Sequence, residues 1–221
     1  LLLVMLSAAT AFALSGCKKE GCLGGEASCR VERPCQKVKF SCSATALTVK
    51  TITSASERPG GWDGLGAVGD VLLSNGQVDV VLAGIGNQNY IDPNGGSIID
   101  LVPHGASKDG VNGISQAVGI LPRDGVAYTS VELIDERPNL VAVQFKGTLD
   151  GIPSVPVYTR YELTPCDPGV RVRTEILNGS TDTQTWAMID GFYWSGREML
   201  GFAPPYGFRY ESFGLTTINA A

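Results

Sequence analysis

Two carboxylates near the C-terminal end of the chain, Asp190 and Glu198, stand among eight aromatic side chains that fall between Trp186 and Tyr210. Aromatic rings stack on the flat C–H faces of sugars, and glycoside chemistry needs a pair of carboxyl groups facing one cleft. Trp194, Tyr193, Arg197, Asp190 and Glu198 are therefore the candidate ligand-contacting residues, with carbohydrate as the candidate ligand. Buried aromatics also dominate β-sandwich interiors. Nothing in the spacing turns both carboxylates to one side, so no catalytic residue is assigned.

A second constellation, Asp92, Asp100, His104 and Asp109, surrounds a glycine-rich stretch. Carboxylates and an imidazole on one loop suit a cation or a sugar. The same residues also read as turn formers, since Asp92-Pro93 and Lys108-Asp109-Gly110 start turns through side-chain to backbone hydrogen bonds. Turn chemistry is the favoured reading, because the Asp-x-Asp-x-Asp-Gly calcium pattern is absent. With a single histidine there is no His-x-His or His-Glu-x-x-His site, and no metal or cofactor is expected. Gly84-Ile85-Gly86 is followed by no helix that would supply phosphate-binding amides, so it reads as a loop.

Cysteine supplies the third chemistry. Leu14-Ser15-Gly16-Cys17 closes the uncharged run Leu1–Leu14 and resembles the lipobox of bacterial lipoproteins. That run is shorter than the ~20 residues a membrane-spanning helix needs, and fits the apolar core of a signal peptide. Cys17 is thus the candidate lipidation site, and a membrane reached through N-terminal lipid is the expected partner. The absence of a charged n-region and of an initiator Met marks the chain as a fragment, truncated at the C-terminus as well. Lys18, rather than Asp, after the lipidated cysteine favours the outer membrane. Cys22, Cys29, Cys35 and Cys42, spaced 7, 6 and 7 apart, read as two disulfides of open connectivity. Zinc spacing is missing. Cys166, in Thr164-Pro165-Cys166-Asp167-Pro168-Gly169, is left as an odd, unpaired thiol on a turn.

The remaining composition is acidic and rich in glycine: 28 Gly, 12 Pro, and a net charge of -5. A nucleic-acid partner is excluded, because phosphate needs a basic face. The elements that must position these groups are strands. Val71–Leu73 and Val78–Leu82 flank Asn75-Gly76, the strongest short hairpin signal. Further strands are expected within 43–52, 98–102, 128–134, 140–147, 157–163, 170–177 and 185–190. The stretch 103–122 reads as loop. In the strand 170–177, Val170, Val172, Thr174 and Ile176 share one face, and Arg171, Arg173 and Glu175 the other. Short strands at ~8–12-residue spacing with turns between them predict an all-β fold, an antiparallel β-sandwich.

Residues Gly69–Val78, Asn94–Leu101 and Tyr161–Asn178 resemble the β-rich region ahead of PHP-like metallohydrolase domains of the CehA/McbA type, found in exported lipoproteins of myxobacteria. The later block is also similar to galactose-mutarotase-like supersandwich domains. The resemblance implies an accessory β domain ahead of a hydrolase whose metal-binding histidines lie in a later region. It implies, as the alternative, a carbohydrate-active supersandwich using Asp190 and Glu198. The organisation expected is a signal peptide at 1–16, a Cys-rich tether at 17–45 and a β-sandwich at 46–221. The place expected is the bacterial cell envelope.

Overall fold

The computed structural model describes residues 40–43, 46–61, 64–87, 92, 94–109, 111–118, 125–150, 152–179, 181–183, 188–194, 202–203 and 207–208. The chain divides after Val38, and the unit 39–221 holds every described element. Those elements are strands, apart from one turn of 3-10 helix at Ala55–Glu57. β1 (Thr48–Thr51), β2 (Val71–Ser74), β3 (Val78–Leu82), β4 (Ile98–Pro103), β5 (Val111–Val118) and β10 (Met188–Trp194) form one antiparallel sheet in the order β1-β2-β3-β4-β5-β10. β6 (Val126–Glu136), β7 (Leu140–Leu149), β8 (Ile152–Leu163) and β9 (Arg171–Ile176) form a four-stranded meander. A two-residue pair, β11 (Phe202–Ala203) and β12 (Gly207–Phe208), stands apart.

The two larger sheets pack as a sandwich. Leu73, Val80, Leu82 and Ile98 of the first meet Val141, Val143, Phe145 and Leu163 of the second. Each such side chain contributes about 1.5–3 kcal/mol on burial. Alternation is clean on β8, where Val155, Val157, Thr159, Tyr161 and Leu163 point inward and are buried. On β2 and β3 it vanishes, because every residue of both strands is buried. The outer face of these strands is covered too: Ile52, Leu72, Val81, Ala83 and Ile99 form a second cluster, with Leu65 packed on it. A sheet covered on both faces loses the polar half of its pattern.

The hairpin forms in the register expected, Val71 opposite Leu82 and Ser74 opposite Asp79. Two expectations are corrected. Residues 111–118, read as loop, are a strand: Gly113, Ser115 and Gln116 pair with Tyr193, Gly191 and Asp190 of β10. Turn-forming residue types there are overridden by a ladder made with a strand some 75 residues away, which no local signal announces. On β9 the faces are as expected but burial is not. Val172 is exposed while Glu175 is buried. β9 is an edge strand, so its inward side chain overhangs the core, and Glu175 is sheltered beside Arg173, to which it is hydrogen-bonded.

Candidate functional site

The four loop residues Asp92, Asp100, His104 and Asp109 do not converge. Asp92 accepts the backbone N–H groups of Asn94 (3.1 Å) and Ser97 (2.9 Å), which is the turn chemistry expected of it. His104 Nδ1 lies 2.9 Å from Asp79 Oδ1, at the open end of β3 and β4. Asp100 and Asp109 alone come together, and among the described residues no group of three His, Cys, Asp or Glu side chains could hold a metal.

Asp100 stands on the outer face of the six-stranded sheet, opposite Val81, and is completely buried. Its Oδ1 accepts the Leu65 N–H and its Oδ2 the Gly66 N–H, both at 2.7 Å. Asp109, 3% exposed, accepts the Val111 N–H at 2.9 Å and is hydrogen-bonded to Asp100. Burial pushes the Asp100 carboxyl from 3.8 up to about 7; the Asp109 charge and hydrogen bond add to this, and the two N–H donors oppose it. This pair can hold a proton near neutrality in a site closed to water.

A second polar group lies between the sheets. The Tyr128 hydroxyl is 2.6 Å from Thr159 Oγ1, which is 3.0 Å from Thr174 Oγ1. Tyr161 donates to the Gly96 carbonyl at 2.6 Å. Burial is the main reason both phenols are raised, Tyr128 to about 12 and Tyr161 well above the ordinary value. Neither is an acid–base group near neutrality. Gly96 has φ +87°, and a Cβ there would lie 2.4 Å from the Tyr128 ring, so only glycine fits.

The third group is a junction at one end of the sandwich. Asn75, fully buried at the β2–β3 turn, accepts the N–H groups of Gln77 and Val78 on Oδ1. Its Nδ2 donates to the carbonyls of Thr164 (2.9 Å) and Asp167 (2.8 Å) in the β8–β9 turn. That turn carries Cys166, which has φ 66° and is bonded to Cys42 in a disulfide. The odd-thiol reading of Cys166 is therefore corrected, as is the pairing of Cys42 within the tether. The partner lies 124 residues away, and only the clasp of the β8–β9 turn on the hairpin brings it near. Cys17, Cys22, Cys29 and Cys35 lie outside the described residues.

Of the expected ligand-contacting residues, Asp190 is exposed on β10, opposite Gln116. Tyr193 and Trp194 take β10 positions opposite Gly113 and Val111. The expectations for their side chains, and for Arg197 and Glu198, lie outside the described residues. Sequence reasoning missed Asn75 as a cross-sheet clasp, the segment 59–66 as a cover, and the hydroxyl chain from Tyr128. The density of glycine between Gly60 and Gly66 was the one signal that pointed to a segment lying flat on a sheet.

Comparison with protein-family models, curated proteins and solved structures finds no match to this chain. The class defined by the fold is an antiparallel β-sandwich with a disulfide across one end.

Proposed function

We propose that this chain is a lipid-anchored protein of the bacterial cell envelope, held through Cys17, whose β-sandwich is a non-catalytic accessory or binding domain. The Cys42–Cys166 disulfide supports the export half of this reading, because such bonds persist in oxidising compartments and are rare in a reducing cytosol. The apolar run ending in Leu14-Ser15-Gly16-Cys17 supplies the route to the membrane. The resemblance to β-rich regions ahead of PHP-like metallohydrolases makes the domain the N-terminal part of a longer hydrolase. Its outer-membrane placement follows from Lys18. Carbohydrate is the ligand class that the aromatic segment 186–210 suits.

A single lipid-bearing cysteine decides the attachment. The full-length protein, expressed in an exporting bacterium with a complete leader, should incorporate labelled fatty acid and partition into the detergent phase. Cys17→Ala should lose the label and leave the membrane fraction. A variant that stays in the membrane would overturn the proposal.

A further inference from the structure

The segment 59–66 lies as a strap across the outer face of the six-stranded sheet, and its glycines let it lie close. A Cβ on Gly61 would come within 2.3 Å of the Ser107 carbonyl oxygen, and one on Gly66 within 2.9 Å of Asp100 Oδ2 and 3.2 Å of the Val81 side chain. Gly60 and Gly61 take φ values of +86° and +61°, where glycine turns without strain and side chains rarely go. Beneath the strap the surface is apolar: Leu72, Val81 and Ile99, with Leu65 of the strap itself set against them.

The ties that hold the strap are few. Gly61 makes an isolated bridge to Lys108. Arg58 Nη1 donates to the Gly66 carbonyl at 3.2 Å, which closes the strap on itself rather than onto the sheet. Asp100 is the remaining tie, with one carboxyl oxygen on the Leu65 N–H and the other on the Gly66 N–H. It is hydrogen-bonded in turn to Asp109, whose own backbone neighbour Lys108 makes the bridge. Two buried carboxyl groups in hydrogen-bond contact need a proton between them, since both cannot be ionised at that distance away from water.

We propose that the strap 59–66 is a proton-dependent cover: a proton shared by Asp100 and Asp109 latches it over the apolar outer face of the six-stranded sheet, and loss of that proton releases it.

The charged groups on the neighbouring elements are engaged elsewhere. Glu57, before the strap, is hydrogen-bonded to Lys50 of β1. Arg58 donates to the carbonyls of Ala55 and Gly66. From β3, Asp79 faces His104. Asp70, ahead of β2, accepts from Ala67, Gly84 and Asn87. Asp109 is the one charged group that acts on Asp100. Asp63, in the strap's sequence, lies outside the described residues, so its titration needs a control.

The sign follows from the direction of the shift. A carboxyl held higher in the folded chain than in the unfolded one binds its proton more tightly when folded. Its contribution is complete at acid pH and is lost as pH rises through about 7. The strap is closed below that value and open above it.

The test is amide hydrogen exchange on the full chain between pH 5.5 and 8.5, corrected for the intrinsic rise of exchange with pH. Protection at Leu65 and Gly66 should fall about tenfold for each pH unit above the transition, while the amides of β7 stay unchanged. In Asp109→Asn the side-chain amide donates to Asp100 in place of the proton, so protection should become flat with pH. Asp63→Asn should keep the wild-type profile. Flat protection in the wild type, an unaltered transition in Asp109→Asn, or its loss in Asp63→Asn would overturn the proposal. Should Asp109→Asn fail to fold, the carboxyl carbon shift of Asp100 in the wild type decides. A protonated signal at pH 6 is expected, and an ionised one there would overturn it.

Discussion

Asn75 occupies a position where each polar atom of a side chain is used twice. Its amide nitrogen closes on two carbonyls of the β8–β9 turn, and its oxygen takes two N–H groups of its own hairpin. Replacing it with Ala leaves those backbone groups buried without their partner, at a cost of about 3 kcal/mol. Urea denaturation of Asn75→Ala should show that loss, and Asn75→Asp should lose nearly as much, because a carboxylate cannot donate to the two carbonyls. A near-wild-type Asn75→Asp would mean that the cross-sheet bonds contribute little. The Asn-Gly signal marked this residue as a turn former, and it is one. Its second task was invisible, because the Thr164 and Asp167 carbonyls are brought to it only by the fold. Asp92 shows the opposite case. Both its hydrogen bonds are local, and local pattern was enough to read them.

At the scale of elements, the four-stranded meander and the six-stranded sheet were legible to different degrees. β7 and β8 alternate inward and outward along most of their length, since one face packs and the other meets solvent or charge. β7 is a central strand, with β6 on one side and β8 on the other. Its Phe145 is fully buried, with ring centroids 5.4 Å from Tyr128 and 6.0 Å from Tyr161. Phe145→Ala should cost about 3–5 kcal/mol, the transfer of the ring plus the cavity it leaves. Equilibrium unfolding gives the value directly, and a loss under 1 kcal/mol would contradict the packing described. β5 was not legible, because its glycine and small polar residues carry no strand signal of their own. It exists because β10 pairs with it over seven positions.

For the whole molecule, the Cys42–Cys166 bond joins the start of the domain to a turn most of its length away. Closing so long a loop removes entropy from the unfolded chain, worth up to about 5 kcal/mol in the chain-entropy account. The double variant Cys42→Ser/Cys166→Ser should therefore unfold at lower urea, by about 2–5 kcal/mol, and its midpoint should no longer respond to reductant. If the wild-type midpoint were equally indifferent to reductant, the bond would not be contributing. The clasp and the disulfide meet at the same turn, so the β2–β3 hairpin, the β8–β9 turn and the chain entering from the tether are fixed together.

What the sequence determined by itself was the class of fold, the hairpin, most strands of the meander, and the apolar run ending at Cys17. Each of these is written in neighbouring residues, as a period, a turn pair or an uncharged stretch. The tertiary structure alone decided the partner of Cys166, the strand at 111–118, the clasp of Asn75 and the contact of Asp100 with Asp109 beneath a glycine strap. Those depend on groups far apart in the chain that meet only when two sheets close and a covering segment excludes water, and no local pattern encodes that distance.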